Sequence, residues 1–168
     1  MDLKEPSEVR ALVKGCAEGN SKYQQILYKQ LYSKMMVVCH RYANRPEDAS
    51  DLFQEGFIKV FQKIERFNFK GSLEGWVRRI MVNNAIDYYR KNKNKYAISE
   101  TLIEAEQITE DDSGENIFED ITSNELLAFV QHLSPVYQLV FNLYVLDEYS
   151  HSEIANKLGI SEGTSKSI

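Results

Sequence analysis

Arg79, Asn83, Asp87 and Arg90 follow one another at steps of four, four and three, the spacing that lines side chains along one face of a helix. The residue types on that stripe suit nucleic acid. Guanidinium groups hold phosphates, and an asparagine amide both donates to and accepts from a base edge. Just before it, Phe67, Phe69, Lys70 and Gly71 make a loop with two aromatic rings and a cation. Rings of this kind stack on or wall off an unstacked base, so the chemistry fits single-stranded or melting DNA better than a closed duplex. The plain alternative is a solvated basic face on which Asp87 pairs with Arg90 or Lys91.

A second constellation lies upstream, where Asp51 and Glu55 stand at i and i+4. Two carboxylates so placed could ligate a metal in a helical nucleotide hydrolase. No further pair at ligand spacing occurs on a neighbouring predicted helix, which weighs against that reading. With Gln54 and Ile58 the same carboxylates form a patch of polar groups around an outward isoleucine, as at a protein interface, with a solvated face as the alternative.

Helices must position both sets. Leu73, Trp76, Val77, Ile80, Met81, Ala85 and Tyr88 recur at helical spacing and put the opposite side of the Arg79 stripe against a core. Ala49, Leu52, Phe53, Gly56, Phe57, Val60, Phe61 and Ile64 do the same for a helix over 49–64, capped by Asp48, which leaves the Asp51 patch outside. Pro6 and Ser7 open an earlier helix with Val9, Leu12, Val13 and Cys16 inward. Residues 21–43 make another, with Tyr23, Leu27, Leu31, Met35, Val38 and Tyr42 as its stripe. Downstream, Thr122 to Glu125 and Ser150 to Glu153 are capping boxes. The first opens a helix with Leu126, Leu127, Val130 and Leu133 inward. Pro135 starts the next, with Val136, Leu139, Val140, Leu143 and Tyr144 inward. The second box opens a short helix ended by Gly159, and Ser161 caps one more. Short helix, glycine turn and new helix predict a helix-turn-helix, whose readers would be Ser161, Glu162, Thr164, Ser165 and Lys166.

The net charge of −5 argues against a nucleic-acid partner until its distribution is read. Residues 97–120 hold nine acids and no Lys or Arg, whereas 59–95 hold ten Lys or Arg against three acids. Positive charge is concentrated where the reader is expected. The acidic stretch has weak periodicity and reads as a flexible linker, with one helical turn near 102–108. The fold expected is therefore all-α: two small helical domains, 1–95 and 121–168, joined by an acidic linker over 96–120. Cys16 and Cys39 lack metal-ligand spacing and suit a reducing cytoplasm. No run is long enough to span a membrane, and the first residues lack the order of a signal peptide.

The runs Asp51 to Phe61 (DLFQEGFIKVF), Phe69 to Ser72 (FKGS) and Trp76 to Arg90 (WVRRIMVNNAIDYYR) resemble the N-terminal domain of bacterial RNA polymerase sigma factors. Leu133 to Pro135, Ser150 to Ala155 and Leu158 to Thr164 resemble the sigma C-terminal helix-turn-helix. Two helical domains on one linker are similar to the extracytoplasmic-function group. The resemblance implies a non-enzymatic initiation factor without cofactor or metal, monomeric when free and cytoplasmic. It implies that Asp51, Gln54, Glu55 and Ile58 bind core RNA polymerase at the clamp helices of its largest subunit. Phe67, Phe69, Lys70, Leu73 and Asn83, with Asp87 on the same stripe, would meet the non-template strand of the minus-ten promoter element. There a base is flipped into a protein pocket, and Arg79, Arg90, Lys91 and Lys93 would hold the backbone. The helix-turn-helix readers would meet the minus-thirty-five element. An anti-sigma protein is a further partner of the resembled family, with the polymerase-binding patch as its target. The acidic linker would run through the polymerase channel toward the RNA exit. Recognition helices of the family continue for several turns, whereas this sequence ends at Ile168, and residues 121–168 carry five acids against two lysines. Weakened minus-thirty-five binding is the expectation. An autonomous helix-turn-helix repressor is the other reading, and it leaves the stretch from Phe67 to Lys95 unexplained.

Overall fold

The computed structural model describes residues 1–103 and 122–168, with the side chains of 93–103 and 123 excepted, and among these every regular element is helical. The chain divides after Tyr88 into two compact units, Met1–Tyr88 and Tyr89–Ile168.

In the first unit α1 (Pro6–Ala17) carries proline in its first turn and buries Val9, Leu12, Val13 and Cys16. Asn20 then caps α2 (Ser21–Tyr42) by accepting from the Lys22 amide. Packed against both α1 and the next helix, α2 buries Leu27, Leu31, Met35 and Val38, while Tyr23 and Tyr42 are half-buried. Helix α3 (Pro46–Lys63) starts before Asp48. Asp48 is thus not its cap but sits in the first turn, where Arg45 donates to it from Nε at 3.0 Å and Nη2 at 3.2 Å. Proline at the first helical position explains the earlier start, because its missing amide costs nothing there. The apolar stripe of α3 faces inward as expected, with Phe61 alone half-buried. A 3-10 turn, Ile64–Arg66, follows.

Helix α4 (Leu73–Ile103) begins where Ser72 Oγ accepts from the Gly75 amide at 3.0 Å. Its backbone stays helical past Lys95. No glycine or proline interrupts the sequence between Gly75 and Gly114, so nothing local stops the helix at the start of the acidic stretch. The rest of that stretch, 104–121, including most of the helical turn expected near 102–108, lies outside the described residues.

The second unit contains α5 (Ser123–His132), α6 (Pro135–Phe141), α7 (His151–Leu158) and α8 (Glu162–Ser167). Both expected capping boxes form, Thr122 with Glu125 and Ser150 with Glu153. Between α6 and α7 a π-helical turn, Asn142–Leu146, widens the helix. The extra residue per turn carries Tyr144 outward, to 49% exposed, and leaves Leu143 fully buried. Leu133 is likewise at the surface, beyond the last residue of α5. Tyr144 and Leu133 are therefore not the inner residues that a regular 3.6-residue repeat implies. The core is Val130, Leu139, Val140, Leu143, Ile154 and Leu158.

Candidate nucleic-acid interface

After the 3-10 turn the chain folds into a small built loop. Phe67 is buried, its ring 5.0 Å from that of Phe69 and 5.6 Å from that of Trp76. Asn68 Oδ1 accepts from the Lys70 amide, and Phe69 adopts a positive φ of 60°, a conformation that favours Gly or Asn and costs a phenylalanine about 1–3 kcal/mol. The unfavourable backbone turns the Phe69 ring outward, where the Arg10 guanidinium lies 4.6 Å over its centroid. Between this loop and the start of α1 is a pocket of about 410 Å³. Leu3, Lys4, Pro6, Val9 and Arg10 line one side, and Phe67, Phe69, Gly71, Ser72 and Leu73 the other. Of the loop residues expected to meet nucleic acid, Phe69 and Lys70 are exposed. Phe67 and Leu73 are buried and form pocket wall.

On α4, Arg79 and Asp87 are exposed and Asn83 is half-buried. Arg90 and Lys91 are exposed further along the same helix, and the side chain of Lys93 lies outside the described residues. Asp87 pairs with Lys59 of α3 at 3.4 Å, not with Arg90 or Lys91 as the plain alternative has it. The same Lys59 Nζ donates to Asn84 Oδ1 at 2.6 Å, and Asn84 Nδ2 donates to the Leu52 carbonyl at 3.0 Å. Asn84 is 1% exposed. Sequence reasoning does not single it out, although its spacing from Met81 and Tyr88 already puts it on the apolar side. A buried amide bonded to α3 through both its atoms fixes the rotation of α4, and so decides that Asn83 is the asparagine left on the stripe. Lys34 of α2 holds the start of α4 through Glu74 at 2.6 Å.

The outer face of α3 presents Asp51, Gln54, Glu55 and Ile58, all exposed, Ile58 at 56%. Gln54 Nε2 donates to the Tyr28 hydroxyl at 3.1 Å. Tyr28 packs on Phe53 and Phe57, and Tyr32, 45% exposed, lies 5.1 Å from Phe53. The patch thus continues onto α2 through two tyrosines that the periodicity of α3 alone does not reveal. Among the described residues no three His, Cys, Asp or Glu side chains gather as a metal site.

In the second unit Gly159 takes the left-handed conformation, φ 68°, that ends α7 and turns the chain into α8. Ser161 caps α8 by accepting from the Thr164 amide at 3.0 Å, and its hydroxyl bonds that of Thr164 at 2.7 Å. Glu162 and Lys166 pair at 2.9 Å, and Lys166 holds the Glu162 carboxyl below its usual pKa. Ser165 departs from expectation: it is 1% exposed and bonded to His151 Nδ1 at 2.8 Å. Its place on the inner side of the short helix makes it a tie to α7, with the His151 ring stacked on Tyr144 at 4.2 Å.

Family models agree with this arrangement. Sigma-70 region 2 matches residues 27–95, and Sigma-70 region 4 matches residues 123–167. Together they account for about two thirds of the chain, in order. The chain belongs to the sigma-70 family of RNA polymerase sigma factors. It is similar to the ECF RNA polymerase sigma factor SigE of Mycolicibacterium smegmatis, 28% identical over 84% of this chain and 55% of that one. To the ECF sigma factor SigW of Bacillus subtilis it is 28% identical over 99% of this chain and 91% of that protein. Among solved structures, the sigma factor RpoE of Bartonella quintana, in a co-crystal with the anti-sigma factor NepR, aligns over 85% of this chain and 87% of that one. The TM-score is 0.48 and the identity 17%. This sigma factor groups with the extracytoplasmic-function sigmas and is a transcription initiation factor. Region 2 takes in most of α2, α3, the loop and most of α4, and region 4 takes in α5 to α8; α1, which with Leu3 and Lys4 walls half the pocket, falls outside both. None of the helices among the described residues is long and apolar enough to cross a membrane.

Proposed function

We propose that this sigma factor docks on the clamp helices of the largest subunit of core RNA polymerase through Asp51, Gln54, Glu55 and Ile58, and melts promoter DNA with the face of α4 and the loop before it. The observation that carries the reading is the pocket lined by aromatic rings and cations between the start of α1 and the loop that leads into α4. Arg79, Lys70, Arg90, Lys91 and Lys93 hold the non-template backbone of the minus-ten element, Asn83 reads a base edge, and the pocket receives one unstacked base. Unstacking costs a few kcal/mol, and stacking on an aromatic returns about 1–3 kcal/mol per base, so capture offsets much of the cost of melting. The factor acts in the cytoplasm without bond chemistry of its own. Glu162, Thr164 and Lys166, on the exposed side of α8, meet the minus-thirty-five element, and an anti-sigma protein would compete for the α3 patch.

The test is binding of the 168-residue chain to core polymerase, wild type beside Asp51→Arg/Glu55→Arg, followed by promoter opening. The double variant should lose about thirtyfold or more in affinity, the scale of reversing charges in an interface. Equal binding by a folded double variant would remove the α3 assignment, and no binding by the wild type would remove the function.

A further inference from the structure

We infer that Arg10 of α1 sets base preference in the pocket at Phe69, selecting a base that presents two adjacent hydrogen-bond acceptors, guanine or cytosine, over adenine or thymine. The inference rests on the proposed capture of an unstacked base there. Arg10 is exposed and stands on the one ring of the loop that turns outward. Cation and ring attract by about 0.5–1 kcal/mol at an exposed site, less than a stacked base gains. An incoming base therefore takes the Phe69 face and moves the guanidinium to its edge, with the α1 backbone keeping it within reach.

The polar groups on the pocket wall decide what edge that can be. Lys4 and Arg10 are donors only, and Ser72 Oγ is engaged in capping α4. No carboxylate lines the pocket. Of the neighbouring acids, Asp2 Oδ1 accepts from the Lys4 amide at 2.8 Å, Glu5 Oε1 accepts from the Ser7 hydroxyl at 3.2 Å, and Glu8 accepts from the Asp2 amide and pairs with the N-terminal amine. A donor fork meets two parallel acceptors in guanine O6 and N7. Once a base is unpaired, cytosine N3 and O2 offer the same pair. Adenine sets a donor beside each of its edge acceptors that a fork could reach, and thymine sets its imide N–H between its two carbonyls.

The experiment uses holoenzyme, this chain with core polymerase, selecting from a single-stranded DNA library randomised across a short window. Wild type, Arg10→Gln, Arg10→Lys and Phe69→Leu are compared. Expected for wild type is one position, weakened by Phe69→Leu, at which guanine or cytosine is enriched about fivefold to hundredfold over adenine and thymine. Arg10→Gln should flatten that position and leave the others. Arg10→Lys, which keeps the charge without the fork, should retain affinity and lose the discrimination. Thermal melts confirm folding, and the lysine variant decides the matter if the glutamine variant is unstable. Repeating the selection with 7-deazaguanine, which lacks N7, separates the two bases: loss of enrichment identifies guanine, persistence cytosine. Unchanged preferences in both Arg10 variants, with a Phe69-dependent position intact, would overturn the role of Arg10 alone. A Phe69-dependent position that prefers adenine or thymine would overturn the acceptor-pair rule. If Phe69→Leu changes no position, the pocket reading itself fails.

Discussion

Asn83 and Asn84 are chemically identical neighbours in opposite surroundings, and truncating each to alanine should give opposite phenotypes. Asn84→Ala removes the bond to the Leu52 carbonyl and the acceptor of Lys59. A neutral bond contributes about 0.5–1.5 kcal/mol and one to a charged group about 1.5–3 kcal/mol. Lys59 keeps Asp87 and some solvent, and the Leu52 carbonyl lies within α3 and keeps its helical partner. The lower ends therefore apply, and the expected cost is about 2–3 kcal/mol. For a unit of this size each kcal/mol lowers the melting midpoint by about 4–8 °C, so the shift should be about 10–20 °C. Asn83→Ala should cost under about 1 kcal/mol in stability while reducing promoter opening by about fivefold to hundredfold, the value of a lost base-edge contact. Trp76 is the only tryptophan in the chain and lies in the first unit, so urea unfolding followed by its fluorescence reports on that unit without interference from the other. Equal destabilisation by the two variants, or a cost below about 0.5 kcal/mol for Asn84→Ala, would refute the assigned rotation of α4.

Gly15→Ala drives a Cβ into the Tyr23 ring. The overpacking cost of about 1–3 kcal/mol should exceed the helix-propensity gain of about 1 kcal/mol, and a rise in melting midpoint would contradict the close contact of α1 with α2. Burial pushes the Cys39 thiol up to about 12 and the Cys16 thiol to about 11, from 9.0. Their stabilising effect is full below pH 9 and is lost above it, because only the unfolded chain ionises there. Stability should fall by up to about 1.4 kcal/mol per pH unit for each thiol, Cys16 levelling off near pH 11. Urea unfolding at pH 8, 9 and 10 should show a shallower slope in Cys39→Ala; identical slopes would refute the burial. Ser150→Ala removes the α7 cap and should cost about 1 kcal/mol in thermal unfolding of the second unit, followed by circular dichroism.

Periodicity and punctuation are local, and what depends on them was legible in the sequence. The stripes of α1 and α3, both capping boxes and the turn at Gly159 follow from residues within a few positions of one another, as does the outward direction of Asp51, Gln54, Glu55 and Ile58. The order of motifs marked the family. What required the tertiary structure is what depends on partners distant in the chain. A 3.6-residue repeat puts Asn83 on the exposed stripe and Asn84 on the apolar side, but it cannot say that Lys59 and Leu52 on another helix supply the partners of the buried amide. Nor can it foresee that a π-helical turn would bring Tyr144 to the surface, or that Ser165 would turn inward to His151. The pocket is the clearest case. Its loop could be read from Phe67 to Leu73, but half its wall comes from α1, some sixty residues earlier, and Arg10 reaches Phe69 only because α1 packs against the 3-10 turn that precedes the loop. Such proximity arises from burying apolar surface without regard to separation in sequence, so no local pattern encodes it.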